Sequence, residues 1–159
     1  MGYYKDKHAV ITGAASGIGR ALALQLNEQG CALWLSDVNE AGLAETRALL
    51  PRGDRPCDTR VVDVADRSAV EAWALHVAGH TDAVHLVVNN AGVALMARAQ
   101  DADYDDVHWL MNINFWGVVH GCLAFLPLLE KAPASHLVNI SSVFGLIGVP
   151  TQSAYNAAK

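Results

Sequence analysis

The sequence feature that most constrains the fold is a glycine-rich turn, Thr12-Gly13-Ala14-Ala15-Ser16-Gly17-Ile18-Gly19, set between a β-branched apolar run and a helical pattern. Residues 8–11 read as a strand, and 17–29 as the helix that follows. Each glycine answers a different need: Gly13 for a tight turn, Gly17 for backbone approach to a pyrophosphate, and Gly19 for packing of the helix against the sheet. The helix N-terminus supplies N–H donors and a partial positive charge that suit phosphate. Gly13, Ser16, Gly17, Ile18 and Gly19 are therefore candidate dinucleotide-binding positions.

The remaining pattern extends this unit. Candidate strands at 32–36, 60–64, 84–88 and 136–140 alternate with helical segments at 40–50, 67–78 and 104–131, and a last helix begins near Gln152. Such alternation is the signature of right-handed βαβ units on a parallel sheet. The run Val84-His85-Leu86-Val87-Val88 is nearly continuous in apolar residues, as a strand covered on both faces should be. Pro127 should kink or end the long helix. The 159 residues fit a single domain over 1–159. With 52% apolar and 17% charged residues the chain should fold, and a net charge of −5 leaves no basic footprint for nucleic acid.

No membrane partner is expected, because the longest apolar stretch, 118–129, carries His120 and Pro127 and is too short to span a bilayer. The polar N-terminus does not read as a signal peptide. Met1-Gly2 matches the start of a myristoylation signal, but Asp6 stands where Ser or Thr is required. Cys31, Cys57 and Cys122 form no Cys-x-x-Cys pair, which argues against a disulfide framework or zinc knuckle and fits reduced thiols in the cytoplasm.

Further candidate residues follow. Asp37 ends the second strand, 18 residues beyond Gly19, where a carboxylate can accept hydrogen bonds from ribose hydroxyls. It would repel a 2′-phosphate, and Ala14, Ala15, Ser16 and Val38 offer no compensating cation, so NAD is favoured over NADP. A solvated strand-end Asp or a helix cap is the competing reading. Tyr155 and Lys159 lie four apart, on one face of a helix, with Cβ atoms about 5–6 Å apart, and a nearby cation favours phenolate. His76 and His80 are an i, i+4 pair open to a metal, to a helix C-terminus or to solvent, with the last two favoured. No metal site is expected. The acidic residues 101, 103, 105 and 106 suit a helix N-terminus better than a calcium loop, which would need Gly at Asp106 and Glu at Asn112. Trp109 and Trp116 share a face and are expected to pack on the core or on another subunit.

The glycine turn, Asn89-Asn90-Ala91-Gly92, Asn114, Ser142 and Tyr155-x-x-x-Lys159, in this order, together resemble the short-chain dehydrogenase/reductase family. The resemblance implies a Rossmann-like doubly wound α/β fold of strand order 3-2-1-4-5, with NAD lying across the switch point between strands one and four. It implies that Asp63, ending the third strand, contacts adenine with Val64 beside it, and that Asn90, Ala91 and Gly92 brace the fourth strand's end and leave room for cofactor. Turn chemistry alone also accounts for the Asn pair. In the family mechanism Tyr155 is the general acid/base, Ser142 binds the substrate oxygen, Lys159 binds the nicotinamide ribose and favours the phenolate, and Asn114 holds a water linking Lys159 to solvent. Family spacing selects Ser142 over Ser141 and Asn114 over Asn112. Thr12 is expected to be structural.

Hydride transfer between NAD and a secondary alcohol or ketone is the implied reaction. The family commonly forms dimers or tetramers through the long helix and the active-site helix. Its members continue past the active-site lysine with further strands and a substrate-covering segment. The expectation is that residues 1–159 are the N-terminal part of a longer enzyme, with the C-terminal strands absent and the fifth strand left as an apolar edge. The apolar stretch 144–150 favours a hydrophobic substrate. The rival is a non-catalytic dinucleotide-binding or scaffold protein, inactive at this length. A nucleotide-binding methyltransferase leaves Ser142 and the Tyr–Lys pair unexplained.

Overall fold

The computed structural model describes residues 3–159, so the Met1-Gly2 reading lies outside the described residues. Five parallel strands form one sheet in the order β3-β2-β1-β4-β5. The strands are β1 (His8–Thr12), β2 (Ala32–Asp37), β3 (Cys57–Val61), β4 (Leu86–Asn89) and β5 (His136–Asn139). The helices are α1 (Gly17–Glu28), α2 (Glu40–Ala48), α3 (Arg67–Ala78), α4 (Tyr104–Met111), α5 (Gly117–Leu129) and α6 (Ser153–Ala158).

Strand alternation explains the layering. Ala9 and Ile11 of β1 point to one face of the sheet and pack with Leu33, Leu35 and Val88 against Ala23 and Leu26 of α1 and Leu43 of α2. Val10 points to the other face, with Val87 and Trp34, against Val70, Trp73 and Val77 of α3 and Phe125 and Leu128 of α5. Trp73 and Phe125 meet edge to face at 5.1 Å, a favoured aromatic geometry. Helices on both faces are why the central strands read as continuous apolar runs. The chain therefore has the doubly wound α/β architecture the sequence implies.

The third strand departs from expectation. It runs three residues earlier, because its ladder with β2 begins where the Pro56 carbonyl accepts the Leu33 N–H at 2.9 Å. Polar Asp58, Thr59 and Arg60 are tolerated there because β3 is an edge strand. Val62 and Val64 are buried just past its end, so their apolarity marked burial and not pairing. Asp63 consequently lies in the loop beyond β3 and does not end the strand. The fourth strand also starts later than expected, at Leu86, since the Val84 N–H is turned to the Leu128 carbonyl.

The expected single helix over 104–131 is interrupted by a π turn, Asn112–Trp116, in which the Gly117 N–H donates to the Asn112 carbonyl. Pro127 lies inside α5, two residues before its end. By length and composition the continuous run Tyr104–Leu129 is long and apolar enough to cross a membrane, unlike the shorter stretch considered from sequence. In this fold Leu110, Phe125, Leu128 and Leu129 are buried within it. Trp109 and Trp116 are both about half exposed and do not enter the core. β5 forms the other sheet edge, with Leu137 and Val138 exposed. Asp103 caps α4 through the Asp105 N–H, and Asp101 pairs with Arg98. His76 sits between the Asp58 carboxylate at 2.7 Å and Arg60 at 2.9 Å, while His80 donates to the His76 carbonyl.

Gly121 shows how tightly α5 seats on the sheet. A Cβ there would lie 2.1 Å from Asn89 Oδ1, and Asn89 is itself held by Asn139 at 2.9 Å. Ala in a helix interior gains about 1 kcal/mol over Gly, but overpacking costs about 1–3 kcal/mol. Gly121→Ala should therefore lower the denaturant midpoint of the full-length protein, and an unchanged or raised midpoint would refute this packing account.

Candidate active site

The loops after β1 and β4 are stitched together at the C-terminal end of the sheet. Thr12 Oγ1 accepts the N–H groups of Asn90 and Ala91, each at 3.0 Å. The Asn90 amide in turn donates to the carbonyls of Thr12 and Gly13 at 3.0 and 3.1 Å. Thr12 is thus structural in a specific way, as a bridge between two loops, and nothing in the sequence marked its hydroxyl for that. Gly13 has φ +66°, a conformation that side chains resist, and a Cβ on it would come 2.8 Å from Ala91 Cα. On Gly19 a Cβ would meet the Gly13 carbonyl oxygen at 2.2 Å. Gly17 is different: nothing lies within 4 Å of its Cβ position, so its backbone faces open space.

That open space is a cavity of roughly 550 Å³, within the range of small-molecule and cofactor sites. Its walls include Gly13, Ser16, Gly17, Ile18, Asp37, Asp63, Val64, Asn90, Ala91 and Gly92, and at its far end Tyr155 and Lys159. Of the residues singled out from sequence, Gly19, Asn114 and Ser142 lie outside the lining. Gly19 works from beneath, by letting α1 close on the turn. Ser141 borders the cavity, and its hydroxyl donates to the Lys159 carbonyl at 3.0 Å. Ser142 caps the short 3-10 turn Val143–Gly145 by accepting the Phe144 N–H at 3.2 Å, which leaves its proton free to donate. Val93 and Ile140, not singled out from sequence, border the cavity as apolar residues at the ends of β4 and β5. Ile140 was legible only as the last residue of an expected strand, and Val93 only as the residue after the Asn89–Gly92 motif.

The charges are divided between the two ends. Asp37 Oδ2 accepts the Ala15 N–H and Oδ1 the Asn39 N–H, both at 3.0 Å, which fixes the carboxylate and leaves further lone pairs for a ligand. Asp63 Oδ1 accepts the Ala65 N–H at 2.9 Å. At the opposite end Lys159 Nζ donates to the Ile140 carbonyl at 3.0 Å, and partial burial holds its pKa below the ordinary lysine value. The Asn114 amide, 2% exposed, makes two 2.8 Å bonds to the backbone of Val93. It approaches Lys159 across Gly92: a Cβ on Gly92 would lie 3.2 Å from Asn114 Oδ1 and 3.3 Å from Lys159 Nζ.

This arrangement fits a dinucleotide. α2, α3 and α4 are each capped by the side chain of Asn39, Asp66 or Asp103, whereas Ser16 gives α1 no side-chain cap. The first N–H groups of α1 thus open on the cavity beside Gly17, as a phosphate requires. Among the described residues no group of three or more His, Cys, Asp or Glu side chains is placed to hold a metal.

A family model described as short chain dehydrogenase matches residues 7–159. The chain belongs to the short-chain dehydrogenase family. Among relatives of this short-chain dehydrogenase, SadH of Mycobacterium tuberculosis, named as an oxidoreductase, is 49% identical over 159 residues, covering 100% of this chain and 58% of SadH. A short chain dehydrogenase/reductase from Burkholderia phymatum, solved in complex with NAD, superposes with a TM-score of 0.93 at 37% identity, over 99% of this chain and 57% of that one. Carveol dehydrogenase from Mycobacterium avium, also in complex with NAD, gives 0.93 at 28% identity, over 99% and 62%. The chain thus spans about three-fifths of the length of these relatives.

Gly19→Ala tests the seating of α1. Because the added methyl meets backbone and not a side chain that can swing away, the turn must open. Nucleotide affinity of the full-length protein should fall by about tenfold or more, corresponding to overpacking of about 1–3 kcal/mol. Wild-type affinity by titration of NADH fluorescence would contradict it.

Proposed function

We propose that the full-length protein is an NAD-dependent oxidoreductase interconverting a secondary alcohol and a ketone. The observation that carries this is the placement of Tyr155 and Lys159 in the same cavity as Asp37 and the uncapped N-terminus of α1. NAD, when bound, supplies the hydride acceptor. Asp37 would receive the adenosine ribose hydroxyls, Asp63 and Val64 the adenine, and the turn Gly13–Gly19 the pyrophosphate. Lys159 would hold the nicotinamide ribose.

The chain's own chemistry is proton handling. As an alcohol is oxidised its hydroxyl proton must leave, and Tyr155, as phenolate, takes it; in reduction the phenol returns it. Lys159 brings its ammonium to the same end of the cavity as Tyr155. Ser142 donates to the substrate oxygen and fixes its orientation. Asn114 is placed to hold a water next to Lys159, since its Oδ1 has capacity for one more hydrogen bond after the Val93 N–H. A non-catalytic scaffold reading gives no reason for this convergence of Asn, Tyr and Lys.

NAD over NADP rests on Asp37 and on the absence, among the described residues, of a free cation lining the cavity beside it. Arg20, a guanidinium close to that turn, is occupied by Thr46, Glu45 and the carbonyls of Ala15 and Gly42. The exposed Trp109, Trp116, Leu123 and Leu126 along α4, the π turn and α5 support a homo-oligomer that uses this helical run. Three free thiols, two of them held protonated by burial with pKa values pushed up to about 12 for Cys31 and about 11 for Cys57, support a reducing, cytoplasmic setting.

Two measurements test the reading. Tyr155→Phe should lower turnover of secondary alcohols by roughly 10²–10⁴-fold while NADH binding stays within about twofold of wild type. Unchanged turnover removes Tyr155 from the reaction. Asp37→Ala should shift the ratio of kcat/KM with NADP over that with NAD upward by about tenfold or more, through relief of charge repulsion at the 2′-phosphate. An unshifted ratio assigns cofactor choice elsewhere.

A further inference from the structure

The turn that carries Ser142 and the helix that carries Tyr155 are joined by one side chain. Asn156, next to Tyr155 on α6, donates from its amide to the carbonyls of Phe144 and Ile147, the latter at 2.7 Å. These carbonyls lie at the C-terminal end of the turn that Ser142 begins. Within the turn, Gly145 N–H donates to the Ser142 carbonyl, and the Leu146 and Ile147 N–H groups both donate to Val143. A short helical turn leaves its last carbonyls without internal partners, and Asn156 supplies them. Ser142 therefore caps one end of the turn while Asn156 closes the other. A second contact follows the same path: the Phe144 ring stands edge to face with the Tyr155 ring at 6.2 Å.

The link between turn and helix is also constrained. Thr151, just before α6, has φ +67°, a left-handed conformation that a β-branched residue rarely adopts. Its carbonyl is held by the Ala97 N–H at 3.0 Å. The chain from Ser142 to Tyr155 is thus tied at both ends, and a backbone held in a strained region by its surroundings marks a segment whose position matters.

We infer that Asn156 is a positioning residue, which sets Ser142 against Tyr155 by closing the turn between them. The inference rests on the catalytic reading of Ser142 and Tyr155. Only an amide of this length presents two donors to two carbonyls from that helix position. Aspartate offers the carbonyls only acceptors, alanine offers nothing, and serine offers a single short donor.

The experiment is a double-mutant cycle in the full-length enzyme, assayed by NADH absorbance with the secondary alcohol that the wild type oxidises fastest, alongside NADH binding by fluorescence. Asn156→Ala should reduce kcat/KM roughly 10- to 100-fold, chiefly in kcat, with NADH affinity within about twofold of wild type. Asn156→Asp should lose at least as much, and Asn156→Ser less. In a Ser142→Ala background, Asn156→Ala should cost no more than about threefold further, because its effect passes through Ser142. A full additional loss in that background, or wild-type kcat for Asn156→Ala, overturns the inference. If Asn156→Ala fails to bind NADH, Asn156→Ser replaces it in the cycle: a loss that vanishes in the Ser142→Ala background supports the inference, and a loss that persists there overturns it. Wild-type turnover by both Ser142→Ala and Tyr155→Phe, or no turnover by the wild type itself, defeats instead the catalytic reading beneath it.

Discussion

The close approach of Gly19 to the Gly13 carbonyl is the contact on which the rest of the molecule depends. With room there for hydrogen but not for a methyl group, α1 descends onto the end of β1 and aims its first N–H groups along the crevice. β1 leads to α1 on one face of the sheet, while β4 leads to the run containing α5 on the other. The two loops therefore part above the sheet, and ligands in such folds bind in the gap so formed. Thr12 and Asn90 close the floor of that gap by exchanging hydrogen bonds across it. The opening is shaped by backbone, which explains why small and amide residues dominate it.

Electrostatics then divides the crevice. Asp37 and Asp63 stand on the side of β2 and β3, and Lys159 on the side of β5 and α6. The uncapped α1 terminus lies between them. A dinucleotide carries hydroxyls at one end, phosphates in the middle and a ring that becomes positive on oxidation at the other. On the proposed reading the first two would meet acceptors and donors respectively, and the last would lie beside Tyr155 and Lys159. Asp37 is fixed by two backbone N–H groups before any ligand arrives, so little ordering remains to be done on binding.

Much of this was legible in the sequence because it is local. The glycine turn, the alternation of strands and helices, and the four-residue spacing of Tyr155 and Lys159 each depend on neighbours along the chain. Non-local information was harder to read. β3 took its register from β2, a partner more than 20 residues away, so the apolar run at Val62 and Val64 misplaced its start and left Asp63 off the strand. The π turn at Asn112–Trp116 has no glycine or proline within it to announce a break. The Thr12 hydroxyl has no evident partner until β4 is laid beside β1. Asn156 likewise reads as an ordinary helix residue until the turn from Ser142 is folded against α6.

The proposed catalytic group would draw on elements from three places, and the π turn is where they meet. Asn114 lies in that turn, buried, with its amide committed to Val93 just beyond the end of β4. π turns are uncommon, and their cost is tolerated chiefly at functional positions. Here the turn lets one side chain hold the loop after β4 while it faces Lys159 across Gly92. Any residue larger than glycine at position 92 would stand between the two polar groups. Lys159, for its part, is tied to the Ile140 carbonyl at the end of β5. The ammonium is thus located by the end of β5 as well as by α6. Asn114 and Lys159, far apart in the chain, face each other across Gly92 because each is anchored to backbone beyond the end of a strand.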